Sequence, residues 1–171
     1  MIKTLIEWAG FALALMIAMS VISWWQTRDL LPTDGDAQIP TLSLPLLGGN
    51  GKVATLAPDA ARNTLIYFFA PWCSICRMSI GNLNAVDNET TRIVVIALDY
   101  ETIGEVQQFV DDVGVTVPVL LGDPRIGQLF QIKGYPTYYI LDSDFRVVSR
   151  DMGYSSRAGI RLRSWRARTS T

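Results

Sequence analysis

A long stretch without a charge, from Trp8 to Trp25, constrains the fold of this 171-residue chain more than any other feature. As a helix, these eighteen residues would span roughly 27 Å, close to the ~30 Å hydrocarbon core of a bilayer. Trp8 at one end and the pair Trp24 and Trp25 at the other are placed as in an aromatic belt. We therefore predict one transmembrane anchor over residues 1–27, with the remaining chain folding outside the membrane.

Two alternatives to an uncleaved anchor stay open, a cleaved signal sequence and a buried helix of a soluble domain. A signal sequence should have a shorter apolar region and small residues before its cleavage site, whereas residues 23–26 are bulky. Lys3 and the α-amino group lie before the span, against Glu7, and Arg28 lies after it beside Asp29. This charge distribution favours a cytoplasmic N-terminus only slightly. We predict a single-pass protein of the inner (cytoplasmic) membrane, with the folded domain in the periplasm or outside the cell.

The chain beyond the anchor divides into a linker and one domain. Residues 28–40 contain proline, glycine and aspartate and predict a linker, and residues 41–168 form the domain. Strand and helix patterns alternate there, which is typical of an α/β protein. Glycines at 48, 49 and 51 predict a hairpin turn between the first two strands. The predicted strands are 41–47, 52–56, 64–70, 92–98, 117–121, 137–141 and 145–149, and the predicted helices are 73–86, 102–113, 123–131 and 155–166.

The sequence holds two cysteines, Cys73 and Cys76, separated by Ser74 and Ile75. A disulfide between them would close almost no loop and would stabilise the fold little. A zinc site needs about four ligands, and the chain has no second cysteine pair and no histidine. Structural and metal-binding interpretations are therefore weak, and a redox-active pair is favoured.

The position of the cysteine pair favours a reactive thiol. It follows a predicted buried strand and opens a predicted helix, where free backbone N–H groups and the helix dipole stabilise a thiolate at Cys73. A spacing of three residues places Cys76 on the same helix face. We predict that Cys73 attacks a substrate disulfide and that Cys76 resolves the mixed disulfide. Trp72 either offers an apolar docking surface for substrate or packs in the core.

Three segments of the sequence carry a family resemblance: FFAPWCSIC at 68–76, RIVVIALDYE at 92–101 and KGYPTYYILD at 133–142. They resemble the thioredoxin superfamily, in particular its membrane-anchored periplasmic branch that includes TlpA, ResA and the cytochrome c maturation protein CcmG. The suppressor-of-copper-sensitivity membrane thioredoxins are similar in architecture. The resemblance implies an α/β, thioredoxin-like fold with an N-terminal β-hairpin and a central βα insertion at about 92–113, preceded by one transmembrane helix.

The resemblance also implies site residues and an activity. Pro136 would be a cis-proline beside the cysteines, and Tyr135 would present its backbone to an extended substrate strand. With Trp72, these residues would bind substrate. The activity implied is thiol–disulfide exchange with envelope proteins, more often as a reductase. A membrane electron-donor protein would supply the electrons. We expect no cofactor, no metal and no nucleic-acid partner, the last because the chain has a net charge of −1 and no long basic run.

Two positions depart from the family pattern. Tyr67 stands where many thioredoxins have a buried aspartate, and Ser79 stands where ResA-like proteins have a glutamate. The carboxylate that would exchange a proton with the inner thiol, Cys76, is therefore missing at both positions. Asp99 and Glu101 are either substitutes for it or parts of a solvated loop edge.

Two other functions stay open at this stage. A periplasmic Cu(I)-binding thioredoxin-like chaperone is the first, because Cys73, Cys76 and Met78 are soft ligands that suit Cu(I). The second is a redox-inert binding or chaperone module that has the same fold but no exchange activity. The intact cysteine pair and the proline segment favour the oxidoreductase over both.

Overall fold

A mixed five-stranded sheet forms the centre of the molecule. The structure is a computed structural model that describes residues 2–168. The strand order is β5-β4-β3-β6-β7, with β3, β4 and β5 parallel and β6 and β7 antiparallel to their neighbours. A separate hairpin, β1–β2, precedes the sheet. The strands are β1 (Leu42–Pro45), β2 (Val53–Leu56), β3 (Asn63–Phe69), β4 (Thr91–Ala97), β5 (Val119–Leu121), β6 (Thr137–Leu141) and β7 (Val147–Met152), and the helices are α1 (Ile2–Thr27), α2 (Ser74–Ser79), α3 (Ile103–Val113), α4 (Pro124–Leu129) and α5 (Arg157–Arg168).

Strand β3 is buried along its whole length. Successive side chains of a strand point to opposite faces, so Tyr67 and Phe69 join one core cluster while Ile66 and Phe68 join the other. An apolar run without alternation is what a strand covered on both faces requires. The strand order confirms the predicted α/β fold with an N-terminal hairpin, and β4 and α3 occupy the predicted βα insertion.

Two predicted elements differ from the structure. The helix predicted over 73–86 is wrong as a single element, because α2 ends at Ser79 and a 3₁₀ helix continues over Ile80–Ala85. Gly81 and two asparagines in that stretch have low helix propensity. The last strand begins at Val147 instead of Phe145, because the side chain of Asp142 accepts the N–H groups of residues 144 and 146 and widens the turn.

Helix α1 contains one candidate membrane span, Ile6–Thr27, with a mean hydropathy of 1.8. None of the window that defines it is buried against the rest of the chain. Its length and composition suit a transmembrane helix, and a signal sequence near an N-terminus has the same properties. The predicted boundary between an anchor and a soluble domain stays a prediction.

Part of the predicted linker, residues 28–40, packs against the domain. Leu30 and Ile39 are 3% and 4% exposed and lie in the core cluster on the β3 face that holds Phe68. Arg150 of β7 donates hydrogen bonds to the carbonyl oxygens of Leu30 and Leu31. The segment that follows α1 is therefore held against the sheet.

Both edges of the sheet are partly covered by this N-terminal region. On the β7 side, the N–H of Ile39 donates to Phe145 at 2.8 Å, and the N–H of Val147 donates to Ala37 at 2.9 Å. On the β5 side, the N–H of Leu47 donates to Val119 at 2.9 Å. Unpaired strand edges promote association with other chains, so this coverage protects the domain.

We expect Leu30→Ala to lower the free energy of unfolding by about 2–3 kcal/mol, because it empties a buried site in the core. Urea unfolding of the purified chain in detergent micelles measures the change. The matched control is Leu162→Ala on α5, where Leu162 is 47% exposed, and a loss within about 0.5 kcal/mol is expected. Equal losses in the two variants would contradict the docking of the linker.

Candidate functional site

The cysteine pair lies in the turn that follows β3. The turn closes where the N–H of Cys73 donates to the carbonyl oxygen of Ala70 at 3.1 Å. Cys73 is the N-cap of α2, and its Sγ accepts a hydrogen bond from the N–H of Cys76 at 3.1 Å. Donation from a backbone N–H stabilises negative charge on an acceptor sulfur, so this position suits a thiolate at Cys73.

Cys73 and Cys76 form a disulfide, with their Cα atoms 5.3 Å apart. The two residues differ in access to solvent, since Cys73 is 5% exposed and Cys76 is fully buried. A sulfur atom arriving from outside therefore meets Cys73 first. The order of access agrees with the roles that the sequence predicts for the two cysteines.

Pro136 lies beside this turn, and the Tyr135–Pro136 peptide is cis, as predicted. The register between β3 and β6 pairs Phe68 with Thr137, so Pro136 is level with the residues that lead into the cysteine turn. Pro136 is buried. Within residues 2–168, no backbone hydrogen bond involves the N–H or C=O of Tyr135, which leaves both groups available to an extended chain.

Trp72 is 65% exposed and is held by two contacts. Its Nε1 donates to the carbonyl oxygen of Asp99 at 3.0 Å, and its ring meets that of Tyr135 edge to face at 5.7 Å between centroids. Ile75 and Met78 are also exposed, at 40% and 66%. The cysteines thus lie beneath an apolar rim in which Trp72 is fixed by the loop after β4.

A cleft of about 440 Å³ opens beside the rim, between the loop after β4 and the start of α4. Its lining includes Asp99, Asp123 and Tyr135. Burial and the nearby Asp99 carboxylate raise the pKa of Tyr135 to about 12. Asp99 and Glu101 are both exposed, with Asp99 at the cleft and Glu101 donating its N–H to Glu105.

The two positions that depart from the family pattern contact each other. The hydroxyl of Tyr67 lies 2.7 Å from Oγ of Ser79, in the protein interior. Both residues are 1% exposed. Sequence reasoning noted each substitution separately and missed the pair. The available signal was that Ser79 follows Cys76 by three residues, and so shares its helix face.

Comparison with known proteins assigns the family. The model of the AhpC/TSA family matches residues 36–150, which include the cysteine turn and Pro136. The chain belongs to the AhpC/TSA family. It is a thiol–disulfide oxidoreductase with a thioredoxin-like fold, in which the paired cysteines Cys73 and Cys76 form a disulfide.

Similar proteins include thioredoxin-like and thiol:disulfide exchange proteins. The thioredoxin-like protein YneN of Bacillus subtilis (strain 168) is 26% identical over 142 residues, covering 78% of this chain and 82% of that protein. Among solved structures, a thiol:disulfide interchange protein of Chlorobium tepidum TLS superposes with a TM-score of 0.65 at 23% identity, covering 77% of this chain and 95% of that one. A secreted Mycobacterium tuberculosis disulfide oxidoreductase homologous to E. coli DsbE has a TM-score of 0.61 at 18% identity, covering 73% and 95%.

The AhpC/TSA chain should react with alkylating reagents first at Cys73. After reduction and brief exposure to limiting iodoacetamide, we expect peptide mapping to find label on Cys73 before Cys76, because only Cys73 reaches the surface. In urea, where both thiols are exposed, the preference should largely disappear. Faster labelling of Cys76 in the folded protein would contradict the assigned order of access.

Proposed function

We propose that the chain is anchored in the inner membrane by residues 1–27 and reduces disulfides of envelope proteins from the periplasmic side. The linker 28–40 and the domain 41–168 complete this arrangement. The observation that carries the proposal is the difference in access between Cys73 and Cys76, directly beside the free backbone groups of Tyr135. The sulfur of Cys73 is accessible to a substrate disulfide, and the sulfur of Cys76 would displace the substrate from the mixed disulfide.

The reaction transfers one electron pair through two exchanges. The Cys73 thiolate attacks a substrate disulfide, so that an S–S bond forms to one substrate sulfur while the other leaves as a thiolate. Cys76 then attacks Cys73, the Cys73–Cys76 disulfide forms, and the second substrate sulfur leaves. The substrate is reduced by two electrons and the cysteine pair is oxidised. A membrane electron-donor protein would return the pair to the dithiol form.

Substrate binding is proposed for Trp72, Tyr135 and Pro136. An extended segment could pair with the backbone of Tyr135, as a strand added to a sheet edge. The exposed apolar surface of Trp72 would cover the neighbouring part of that segment. No cofactor enters this mechanism, because the electron pair passes directly between sulfur atoms.

The alternative of a Cu(I) chaperone is less well supported by the geometry. Cys76 is fully buried while Met78, two residues further along α2, is 66% exposed. Their side chains therefore point to different sides of the helix. Titration of the reduced protein with Cu(I) tests this alternative.

We expect Cys73→Ser to abolish the reduction of insulin by the chain in the presence of dithiothreitol, because the attacking sulfur is lost. Turbidity from the released insulin chains measures the activity. Cys76→Ala should instead accumulate a mixed disulfide at Cys73, visible on non-reducing gels and open to identification by mass spectrometry. Equal activity of wild type and Cys73→Ser would overturn the proposed function.

The direction of electron flow has its own test. Equilibration with glutathione buffers should give a reduction potential near or below about −200 mV, as suits a reductase. The fraction of the dithiol form is measured by mass spectrometry after acid quenching and alkylation. A potential near about −120 mV, which is typical of a strong oxidant, would contradict the reductase direction and leave the exchange chemistry intact.

A further inference from the structure

The inner sulfur of the pair lies in surroundings that disfavour its reactive form. Cys76 is fully buried in a core cluster with Tyr67 and Phe69. Burial among apolar groups disfavours a charged thiolate, yet resolution of a mixed disulfide needs that thiolate. A hydrogen-bond donor in the interior would therefore replace the water that a solvated Cys76 thiolate would have.

Two hydroxyl groups, one from α2 and one from β3, lie in this interior. Ser79 follows Cys76 by three residues, and the two are the buried residues of α2. Side chains three apart on a helix are neighbours. Tyr67 reaches the same place from β3, with its hydroxyl 2.7 Å from Ser79 Oγ.

The hydrogen bonds of this pair have a defined direction in the disulfide form. Ser79 Oγ lies 2.8 Å from the carbonyl oxygen of Ile75, and a carbonyl can only accept. Ser79 therefore donates its only hydroxyl hydrogen to Ile75, and Tyr67 must donate to Ser79. A hydroxyl hydrogen can rotate to another acceptor, and Cys76 lies three residues before Ser79 on the same helix face.

We propose that the hydroxyl pair Tyr67–Ser79 stabilises the thiolate of Cys76 during resolution, with Ser79 contacting the sulfur and Tyr67 positioning Ser79. This proposal rests on the proposed function of the cysteine pair. Ser79 donates its hydrogen to Sγ of Cys76, and the hydrogen bond from Tyr67 strengthens that donation. The thiolate attacks Cys73, the Cys73–Cys76 bond forms, and the bond from Cys73 to substrate breaks. The proton that Cys76 loses when its thiolate forms passes to solvent, and the second substrate sulfur leaves as a thiolate.

The surroundings favour neutral donors in this role. Burial raises the pKa of Tyr67 well above its usual value, so Tyr67 keeps its hydrogen across the working pH range. The charged groups on the neighbouring elements are paired, lie at the surface or face the other core cluster. Arg92 of β4 donates to Ala57 and Thr64 and packs on Phe145, which belongs to that other cluster. Arg77 of α2 pairs with Asp112 of α3, Asp151 of β7 pairs with Arg163 of α5, and Asp99 lies at the cleft by Tyr135.

The resolving step can be followed alone with an aromatic disulfide whose released thiolate absorbs visible light. The reduced full chain in detergent releases one thiolate when Cys73 attacks and a second when Cys76 resolves. In Tyr67→Phe, where Ser79 can still donate, we expect a smaller rise in the pH midpoint of the second phase. In Ser79→Ala, we expect that midpoint to rise by about one unit, which corresponds to the loss of a hydrogen bond to a charged group. At pH 7 this phase should slow only about threefold, because a more basic thiolate is also a better nucleophile.

Two control variants separate this role from simple packing. Tyr138 pairs with Tyr67 in the strand register and is also 1% exposed, but its hydroxyl bonds to Asp151 and Ser155. Tyr138→Phe should lower stability without moving the pH midpoint. Ser79→Thr keeps the hydroxyl and should keep the wild-type midpoint.

An unchanged midpoint in both Tyr67→Phe and Ser79→Ala would overturn the proposal, as would an equal shift in Tyr138→Phe. If Tyr67→Phe does not fold, the comparison of Ser79→Ala with Ser79→Thr decides alone. The measurement uses a small disulfide, so it stays informative even if the chain fails to reduce insulin. Failure of the proposed function and failure of this inference are thereby distinguishable.

Discussion

The burial of β3 on both faces is the constraint on which the rest of the structure depends. Parallel pairing with β4 and antiparallel pairing with β6 fix the strand in the centre of the sheet. Since the strand ends at Phe69, the chain must turn there, and the cysteine pair follows at once. The same pairing with β6 brings Pro136 to the turn. Strand β3 therefore positions both the cysteine turn and Pro136.

The site combines two buried hydroxyl groups with an apolar rim. Below the cysteines, Tyr67 and Ser79 supply hydroxyl groups without a formal charge. Above them, Trp72 is held by the carbonyl of Asp99, which belongs to the loop after β4. The inserted βα unit thus contacts the site directly, and the loop between β4 and α3 contributes to the surface that a substrate would meet.

Much of the fold could be predicted from the chain because its patterns are local. The apolar run of β3, the glycine-rich turn after β1 and the proline that opens α4 each act within a few residues. The end of α2 could not be predicted, because the apolar residues that follow Ser79 continue a helical pattern. The packing of Leu30 and Ile39 was also missed, since their partners lie more than one hundred residues away in the chain.

The sequence by itself determined the reaction class, because two cysteines three residues apart, without histidine or further cysteines, leave few other chemistries. It also determined the cis-proline segment, through its resemblance to a known family. Only the tertiary structure decided which polar groups approach one another. Tyr67 and Ser79 come from different elements, and they meet because the turn after β3 brings α2 to the core cluster that holds Tyr67. Such a contact depends on distances between elements, which no local pattern contains.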